Sequence, residues 1–418
     1  MLSAGLYITI ALIISVLYLI LLLKNNNYRL LLPSSIHTIA WLIVTFLILM
    51  TIKGRIGKYD PTDVVWSYDY VAPFILFLII SSIIGFTIAH LLFYSKPINP
   101  MGSSLNYDSL SMFLKKTHWF LYICLIIGIA QFWYLFQIVG FKSFSDYRIA
   151  AIVTQRTGYG ALAQRLSGHA SILDGFYLGL LGCKHAHSGI KLKEFLFDAF
   201  MVASTNIAIG GRIWIISTAL PYFIGYFWQL SSCSSKLNKK DLRRFVFILV
   251  IFLSLFSVIG TIRNKTEAHG VEKFLYMTDG SRMTNLVFSE FPKNSFKLEY
   301  GRSEFLSKWI GSPMLNKYYD SVENSPALRA TVFSSMPPLY FDFGFFGGLF
   351  MWGVFCFFIE YFALKLKGNT SIIGAVVFIE LSKMLFQAPV GQIFYMETPA
   401  FLWLMIFFII NKLSHSGK

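Results

Sequence analysis

The stretch VAPFILFLIISSIIGFTIAHLLFY, residues 71–94, contains no Asp, Glu, Lys or Arg. About 20 apolar residues are enough for an α-helix to cross the hydrocarbon core of a bilayer. This stretch alone therefore predicts a membrane-spanning helix. Comparable runs lie near residues 3–23, 36–52, 118–139, 171–183, 194–211, 213–231, 245–262, 343–364, 371–388 and 399–411. Together they predict an all-α, polytopic bundle of about 11 spans.

The composition supports the same class of protein. Hydrophobic residues make up 56% of the chain, charged residues only 14%, and the mean hydropathy is +0.60. A soluble domain carries about 25% charged residues, so this chain has too few to cover a water-facing surface. We therefore predict that residues 1–418 form a single integral membrane domain.

The net charge of +15 is distributed unevenly over the loops. One alternating set of loops carries 17 Lys or Arg against three acids, Asp108, Glu194 and Asp241. The positive-inside rule assigns these loops to the cytoplasm. The excess charge is thus a topology signal, and it does not predict nucleic acid as a partner. The predicted location is a cell membrane, with these loops on its cytoplasmic side.

Two loops on the opposite, external side have unusual features. Residues 140–170 are basic, and residues 263–330 form a 68-residue polar stretch between late spans, with ten Lys or Arg and eight Asp or Glu. Loops of that length are often functional. Aromatic residues interleave with the charges of the longer loop, a pattern that suits short helices at the bilayer interface.

Several motifs are missing from the sequence. It contains no phosphate-binding loop, no G-x-G-x-x-G, no H-E-x-x-H and no Asp-x-Asp. We therefore predict no cofactor, no metal site and no nucleotide-driven reaction. His185 and His187 lie in a predicted cytoplasmic loop, and we interpret them as a solvated pair because no set of ligand residues is near them in sequence.

The strongest candidate for a functional residue is Arg212, in Ile209-Gly210-Gly211-Arg212. Two glycines allow a ligand to approach the backbone closely, and a cation at membrane depth is costly and usually marks function. The alternative is an interfacial anchor whose side chain snorkels to water.

Other external arginines are candidates for binding phosphate, because guanidinium groups match phosphate oxygens in shape and charge. These are Arg148, Arg156 and Arg165 in the first loop and Arg263 and Arg282 in the second. The alternative for each is an ordinary solvated helix face.

Acidic and basic side chains elsewhere suggest two further roles. Glu267 and His269 follow Arg263, and either could act as a general base toward a hydroxyl group. The alternative is an ordinary solvated role, which is the more common one for such residues. Glu380 and Lys383 lie one helical turn apart inside an apolar run, which predicts an internal ion pair. Asp342 precedes a glycine-rich segment, and we interpret that segment as a site of close helix packing.

Three blocks between about residues 140 and 350 resemble the Wzy family of bacterial O-antigen and capsular repeat-unit polymerases. They are the Tyr147-Arg148 segment, the Gly-Gly-Arg ending at Arg212, and YFDFGFFGG at residues 340–348 after the long loop. Some members carry paired Arg-x10-Gly loops. Here Arg148–Gly158 and Arg165–Gly175 are one residue shorter, so that motif is not carried over as a binding site.

The resemblance implies a GT-C-like glycosyltransferase in the bacterial inner membrane that is active on the periplasmic face and needs no metal. Donor and acceptor would be oligosaccharide repeat units linked to undecaprenyl pyrophosphate, and a chain-length regulator would be a possible protein partner. Arg212 and Arg263, with Glu267 or His269 as a base, would form the catalytic set. Arg148, Arg156, Arg165 and Arg282 would bind substrate.

Three alternatives share parts of this pattern. An O-antigen ligase has the same donor and a similar plan of spans, but it transfers the glycan to lipid A core. A flippase for lipid-linked oligosaccharides needs charges around a central cavity. A non-catalytic scaffold gives Arg212 no reason for its position.

Overall fold

The structure of the protein is a computed structural model. It describes residues 3–25, 32–94 without 57, 61 and 64–66, 105–140, 146–147, 150, 158–208 and 213–232. Further along the chain it describes most residues of 239–254, then 277–290, 336–366 and 371–389.

Every regular element in these ranges is helical, and no strand occurs in them, so the all-α prediction is confirmed for the described residues. The helices are α1 (Ala4–Asn25), α2 (Pro33–Ile52), α3 (Val71–Tyr94), α4 (Tyr107–Thr117), α5 (Trp119–Val139), α6 (Gly158–Ser188), α7 (Leu192–Ala208), α8 (Ile213–Ser232), α9 (Asp279–Glu290), α10 (Met336–Leu366) and α11 (Ile372–Gln387).

Five stretches of the described residues are long and apolar enough to cross a membrane: Ala4–Leu22, Pro33–Ile52, Val71–Phe93, Tyr107–Val139 and Phe343–Leu366. They are compatible with a membrane protein. Helices α7 and α11 match predicted runs but have only 17 and 16 residues. Most of the predicted run 245–262 and all of 399–411 lie outside the described residues. The count of about 11 spans therefore stays a prediction.

Two helices differ from the sequence-based expectation in extent. Helix α6 begins at Gly158, so residues 158–170, predicted as part of an external loop, are helical. Helix α10 begins at Met336 and contains Gly344 with φ 69° and ψ −171°. Glycine adopts this backbone conformation readily because it has no Cβ. The chain therefore kinks at Gly344, which acts as a break within one helix.

The contacts of the chain form two compact units, which are described here one at a time. Unit 1 contains residues 1–97, 270–364 and 384–397, and unit 2 contains residues 98–269, 365–383 and 398–418.

In unit 1, α3 and α10 cross at two glycines. A Cβ on Gly85 would overlap the carbonyl of Gly353, and the Ser81 hydroxyl donates to the carbonyl of Leu349 at 2.6 Å. Small residues let two backbones approach, and membrane helices depend on such packing because lipid tails are as apolar as the side chains. The two contacts thus fix the height of α3 relative to α10.

Unit 1 also has a buried polar interior. The Glu360 carboxylate on α10 accepts from the Ser34 backbone N–H at 3.0 Å and from the Ser34 hydroxyl at 2.7 Å, and His90 Nε2 lies 2.8 Å from it. Ser34 is in the first turn of α2, where unpaired N–H groups favour a negative charge. Glu360 thereby joins α10 to both α2 and α3.

Side-chain contacts join loops that the charge pattern places on the same side. Asn285 on α9 accepts from the backbone N–H groups of Tyr70 and Val71, where α3 begins. Its amide donates to the Ser67 hydroxyl at 3.2 Å. The alternation of loops across the predicted spans places residues 53–70 on the same, external side as the long loop. Within the long one, α9 is a short helix with Phe288 packed against Phe74 and Tyr340.

Candidate functional site

The helices of unit 2 that lead to the candidate arginines pack in two parallel pairs. The first pair is α5 with α7. A Cβ on Gly128 would lie 2.6 Å from the carbonyl carbon of Ser204, and the Ser204 hydroxyl donates to the carbonyl of Cys124 at 3.1 Å. This contact sets the relative height of the two helices.

The second pair is α6 with α8. A Cβ on Gly225 would overlap the carbonyl of Gly179, and one on Gly182 would overlap the carbonyl of Tyr222. Further toward the helix starts, a Cβ on Gly175 would lie 3.7 Å from Cγ of Pro221. Residue numbers increase together along the two helices, so they run parallel with their starts at the same end.

The register of α6 and α8 gives the heights of two candidate segments. Arg165 lies ten residues before Gly175, and Ile213, which follows Arg212 in the chain, lies eight residues before Pro221. With a rise of 1.5 Å per residue, Arg165 lies about 15 Å and Ile213 about 12 Å from the contact between Gly175 and Pro221, measured along the helices. The backbone of Arg165 and the start of α8 are therefore at nearly the same height.

The first pair reaches the same end of unit 2. Ala208, the last residue of α7, lies four residues beyond Ser204. Phe132 on α5 likewise lies four residues beyond Gly128, so Ala208 and Phe132 are at a similar height. Five residue steps separate Ala208 from Ile213, a span of at most about 18 Å. The end of α7, the start of α8 and the Phe132 turn of α5 thus belong to one end of the unit.

Tyr147 anchors the chain to this end. Its ring stacks on Phe132 with 5.6 Å between centroids and 3° between planes, and its hydroxyl donates to the carbonyl of Gly140 at 2.9 Å. Tyr147 is buried in a small apolar cluster with Leu135. Since Arg148 is the next residue in the chain, the described neighbours of Arg148 and Arg212 and the backbone of Arg165 meet at one end of unit 2.

Six of the eight predicted site residues lie outside the described residues: Arg148, Arg156, Arg212, Arg263, Glu267 and His269. Arg165 is in α6, where its backbone alone is described. Arg282 is half-buried on α9 in unit 1, one turn before Asn285. The structure thus brings together the chain neighbours of Arg148 and Arg212 and the backbone of Arg165. It places Arg282 in the other unit.

The opposite end of unit 2 is a dense polar network. His185 Nδ1 lies 2.8 Å from the Tyr222 hydroxyl and Nε2 lies 3.3 Å from the Glu194 carboxylate, which also pairs with Lys184 at 2.6 Å. His185 is completely buried, so the interpretation of a solvated residue is wrong for it. Glu194 lies nine residues from His185 and Tyr222 lies 37 residues from it, so neither falls within the short ligand spacings considered for the sequence.

Burial also affects the charge of His185, which lies two residues beyond the predicted span 171–183. Its removal from water lowers the pKa of His185 below the ordinary value, because the charged form loses solvation. A neutral imidazole can accept from Tyr222 at Nδ1 and donate to Glu194 at Nε2. Burial thus favours the neutral form of His185, whereas the contact with Glu194 favours the charged form.

The same network continues around two neighbouring segments. Asp241 accepts from the backbone N–H of Ile190 at 3.2 Å and from the Tyr226 hydroxyl at 3.2 Å. His187 lies 3.0 Å from the carbonyl of Leu105. All these loop ends belong to the set that the charge pattern assigns to the cytoplasm, so the contacts agree with a common side for them.

An ion pair lies in the interior of the same unit. Lys383 Nζ is 2.7 Å from Oε2 of Glu380, and both side chains are buried. The predicted pairing of these two residues is confirmed. Among the described residues no group of three His, Cys, Asp or Glu side chains is arranged to hold a metal ion.

No family model matches the chain, and searches of curated proteins and of solved structures found no match.

Proposed function

We propose that the protein is a membrane-embedded glycosyltransferase that polymerises oligosaccharide repeat units carried on undecaprenyl pyrophosphate. The single observation that supports this best is the meeting of the Arg148, Arg165 and Arg212 surroundings at one end of unit 2. By the charge pattern this is the external end, which in a bacterial inner membrane is the periplasmic face.

Arginines close to one another on this face would suit the chemistry of the reaction. Transfer of the growing glycan to the terminal sugar of a second lipid-linked unit releases undecaprenyl pyrophosphate. Negative charge develops on that leaving group, and fixed cations nearby stabilise it. Guanidinium groups bind two phosphate oxygens at once, which also orients the donor. The pattern shared with the Wzy family supplies the choice of substrate.

Arg212 is the residue that tests this proposal most directly. We expect Arg212→Ala to abolish polymer while the amount of protein in the membrane stays normal. Arg212→Lys should recover little, because lysine offers a point charge without the bidentate geometry. The measurement is the length distribution of surface glycan in cells that lack their own polymerase and express each variant at equal levels.

Arg243→Ala is the matched control, because Arg243 is exposed and lies in a segment predicted to be cytoplasmic. It should leave the glycan ladder unchanged. Surface glycan with a single repeat unit in the Arg212 variants supports a polymerase. Loss of all attached glycan would instead indicate a ligase or a flippase. A normal ladder in Arg212→Lys, and above all in Arg212→Ala, would remove Arg212 from the site.

A further inference from the structure

The ion pair of Glu380 and Lys383 is buried where three helices of unit 2 meet. A Cβ on Gly175 of α6 would lie 3.0 Å from Lys383 Nζ, 3.6 Å from Glu380 Oε2 and 3.7 Å from Pro221 Cγ on α8. A Cβ at this point would therefore crowd Lys383 Nζ and would meet Glu380 Oε2 at an ordinary van der Waals distance. Gly175 provides the space in which the pair lies.

Neighbouring contacts place α11 against both helices of the α6–α8 pair. A Cβ on Gly179 would lie 2.7 Å from Cδ1 of Ile379, and the rings of Phe378 and Trp228 are 5.9 Å apart. Residue numbers of α11 increase as those of α6 decrease, so the two helices are antiparallel. Ile379 lies at Gly179 of α6, and the ion pair lies at Gly175, about one turn closer to the start of α6.

The ion pair restricts how α11 can sit in this groove. Buried charges are expensive inside a membrane and are tolerated only where they stay paired and enclosed. Pro221 has no N–H and cannot donate to the carbonyl of Ser217, so one backbone hydrogen bond of α8 is missing at this height. A shift of α11 by one residue, about 1.5 Å, would move the charges away from Gly175. The pair thus selects one height for α11.

We propose that Glu380 and Lys383 are positioning residues that hold α6 and α8 at one relative height and thereby align the arginine segments at their starts. The pair lies about 15 Å from the backbone height of Arg165, so it acts through the helices and does not touch substrate. This inference rests on the proposed function for its consequence, but the alignment itself can be measured without any activity.

The experiment measures the distance between spin labels on α6 and α8. Labels are attached at Leu162→Cys, which is exposed on α6, and at Ile213→Cys, in a protein whose four native cysteines are replaced. We expect one narrow distance distribution when the ion pair is intact. Lys383→Met leaves the Glu380 carboxylate unpaired, and we expect it to broaden or shift the distribution. An unchanged distribution in Lys383→Met would overturn the proposal.

Three further variants keep the result interpretable if Lys383→Met folds poorly. Exchange of the charges, Glu380→Lys with Lys383→Glu, should restore the narrow distribution. Gly175→Ala retains both charges but crowds the pair, and it should shift the distance in the same direction as Lys383→Met. Ser382→Ala is the control on the same turn, because the buried Ser382 hydroxyl has no hydrogen-bond partner among the described residues. A shift in Ser382→Ala as large as that in Lys383→Met would contradict a specific role of the pair.

Polymerisation by the same purified variants links the alignment to function. We expect kcat with lipid-linked repeat units to fall about tenfold or more in Lys383→Met and to recover in the charge exchange, since small misplacements of binding groups have large effects on rate. If the distances respond while the unmodified protein makes no polymer from these substrates, the positioning role stands and the proposed function fails. If polymer forms normally in Lys383→Met, the positioning role fails alone.

Discussion

Two buried carboxylates, Glu360 in unit 1 and Glu380 in unit 2, lie in apolar helices but have different partners. Glu360 accepts two hydrogen bonds from Ser34 on α2 and lies beside His90 on α3. The partner of Glu380 is Lys383 on its own helix. A carboxylate bound by groups on other helices holds those helices together directly. A pair within one helix acts on its neighbours only through the space it occupies.

Loss of the Glu360 carboxylate should have the largest effect. Glu360→Ala leaves the Ser34 backbone N–H and hydroxyl and the His90 ring without their acceptor in a buried environment. We expect the free energy of unfolding to fall by about 3 kcal/mol. Thermal unfolding in detergent, followed by tryptophan fluorescence, measures this. An unfolding temperature equal to that of the unmodified protein would show that the contact does not clamp the helices.

The stability of unit 2 is expected to depend on pH through His185. The pKa of His185 in unit 2 is below its ordinary value in the folded protein, so only the unfolded chain takes up a proton as the pH falls through that ordinary value. The stability contributed by neutral His185 is therefore present at higher pH and is lost as the pH falls toward the folded pKa. Lys184 and Glu194 face the same ring and belong to the response.

The corresponding measurement is the unfolding temperature between about pH 8 and pH 5. We expect it to decrease toward low pH, and we expect the decrease to be smaller in His185→Gln, which has no titrating ring. His187→Gln is the control, because His187 is exposed at the same end of the unit. An identical pH dependence in His185→Gln and the unmodified protein would exclude His185 as its source.

Removal of the Ser34 hydroxyl should have a smaller effect than removal of Glu360. In Ser34→Ala the backbone N–H of residue 34 can still donate to the Glu360 carboxylate, so only the side-chain bond of 2.7 Å is lost. A single intramolecular hydrogen bond contributes about 1 kcal/mol. Thermal unfolding of the two single variants and of the double variant shows whether the losses are coupled. Strictly additive losses would indicate that Ser34 and Glu360 act independently.

Sequence alone predicted the local features of this chain and missed those that depend on distant partners. The apolar run at residues 71–94 became α3 with the same bounds, because hydropathy is a property of the run itself. The Glu380–Lys383 pair followed from one-turn spacing. The contacts of Glu360 with Ser34 and of His185 with Tyr222 could not be predicted in this way. Ser34 lies 326 residues from Glu360, and Tyr222 lies 37 residues from His185.

The candidate site shows the same limit. Single arginines could be selected from charge and glycine content, but nothing in the sequence gives the relative height of α6 and α8. Facing glycines, here Gly179 and Gly225, allow the two backbones to approach, and by our proposal the Glu380–Lys383 pair selects the relative height. Tyr147 was noticed only as the neighbour of Arg148. Its contact with Gly140 closes a short loop that no local pattern specified.

The smallest expected effect concerns the stability of the Glu380–Lys383 pair when both charges are removed together. In Glu380→Leu with Lys383→Met no charge is left unpaired, and replacement of a buried ion pair by apolar side chains is often neutral for stability. We expect the free energy of unfolding to change by less than about 1 kcal/mol, whereas Lys383→Met alone should destabilise clearly. The label distance between α6 and α8 should nevertheless broaden in the double variant, because apolar side chains fit the groove at more than one height. A stable double variant with a narrow distance distribution would mean that the two charges only compensate each other and have no role in aligning α6 and α8. A stable double variant with a broad distribution would show that the pair specifies alignment without adding stability, in contrast to the direct clamp at Glu360.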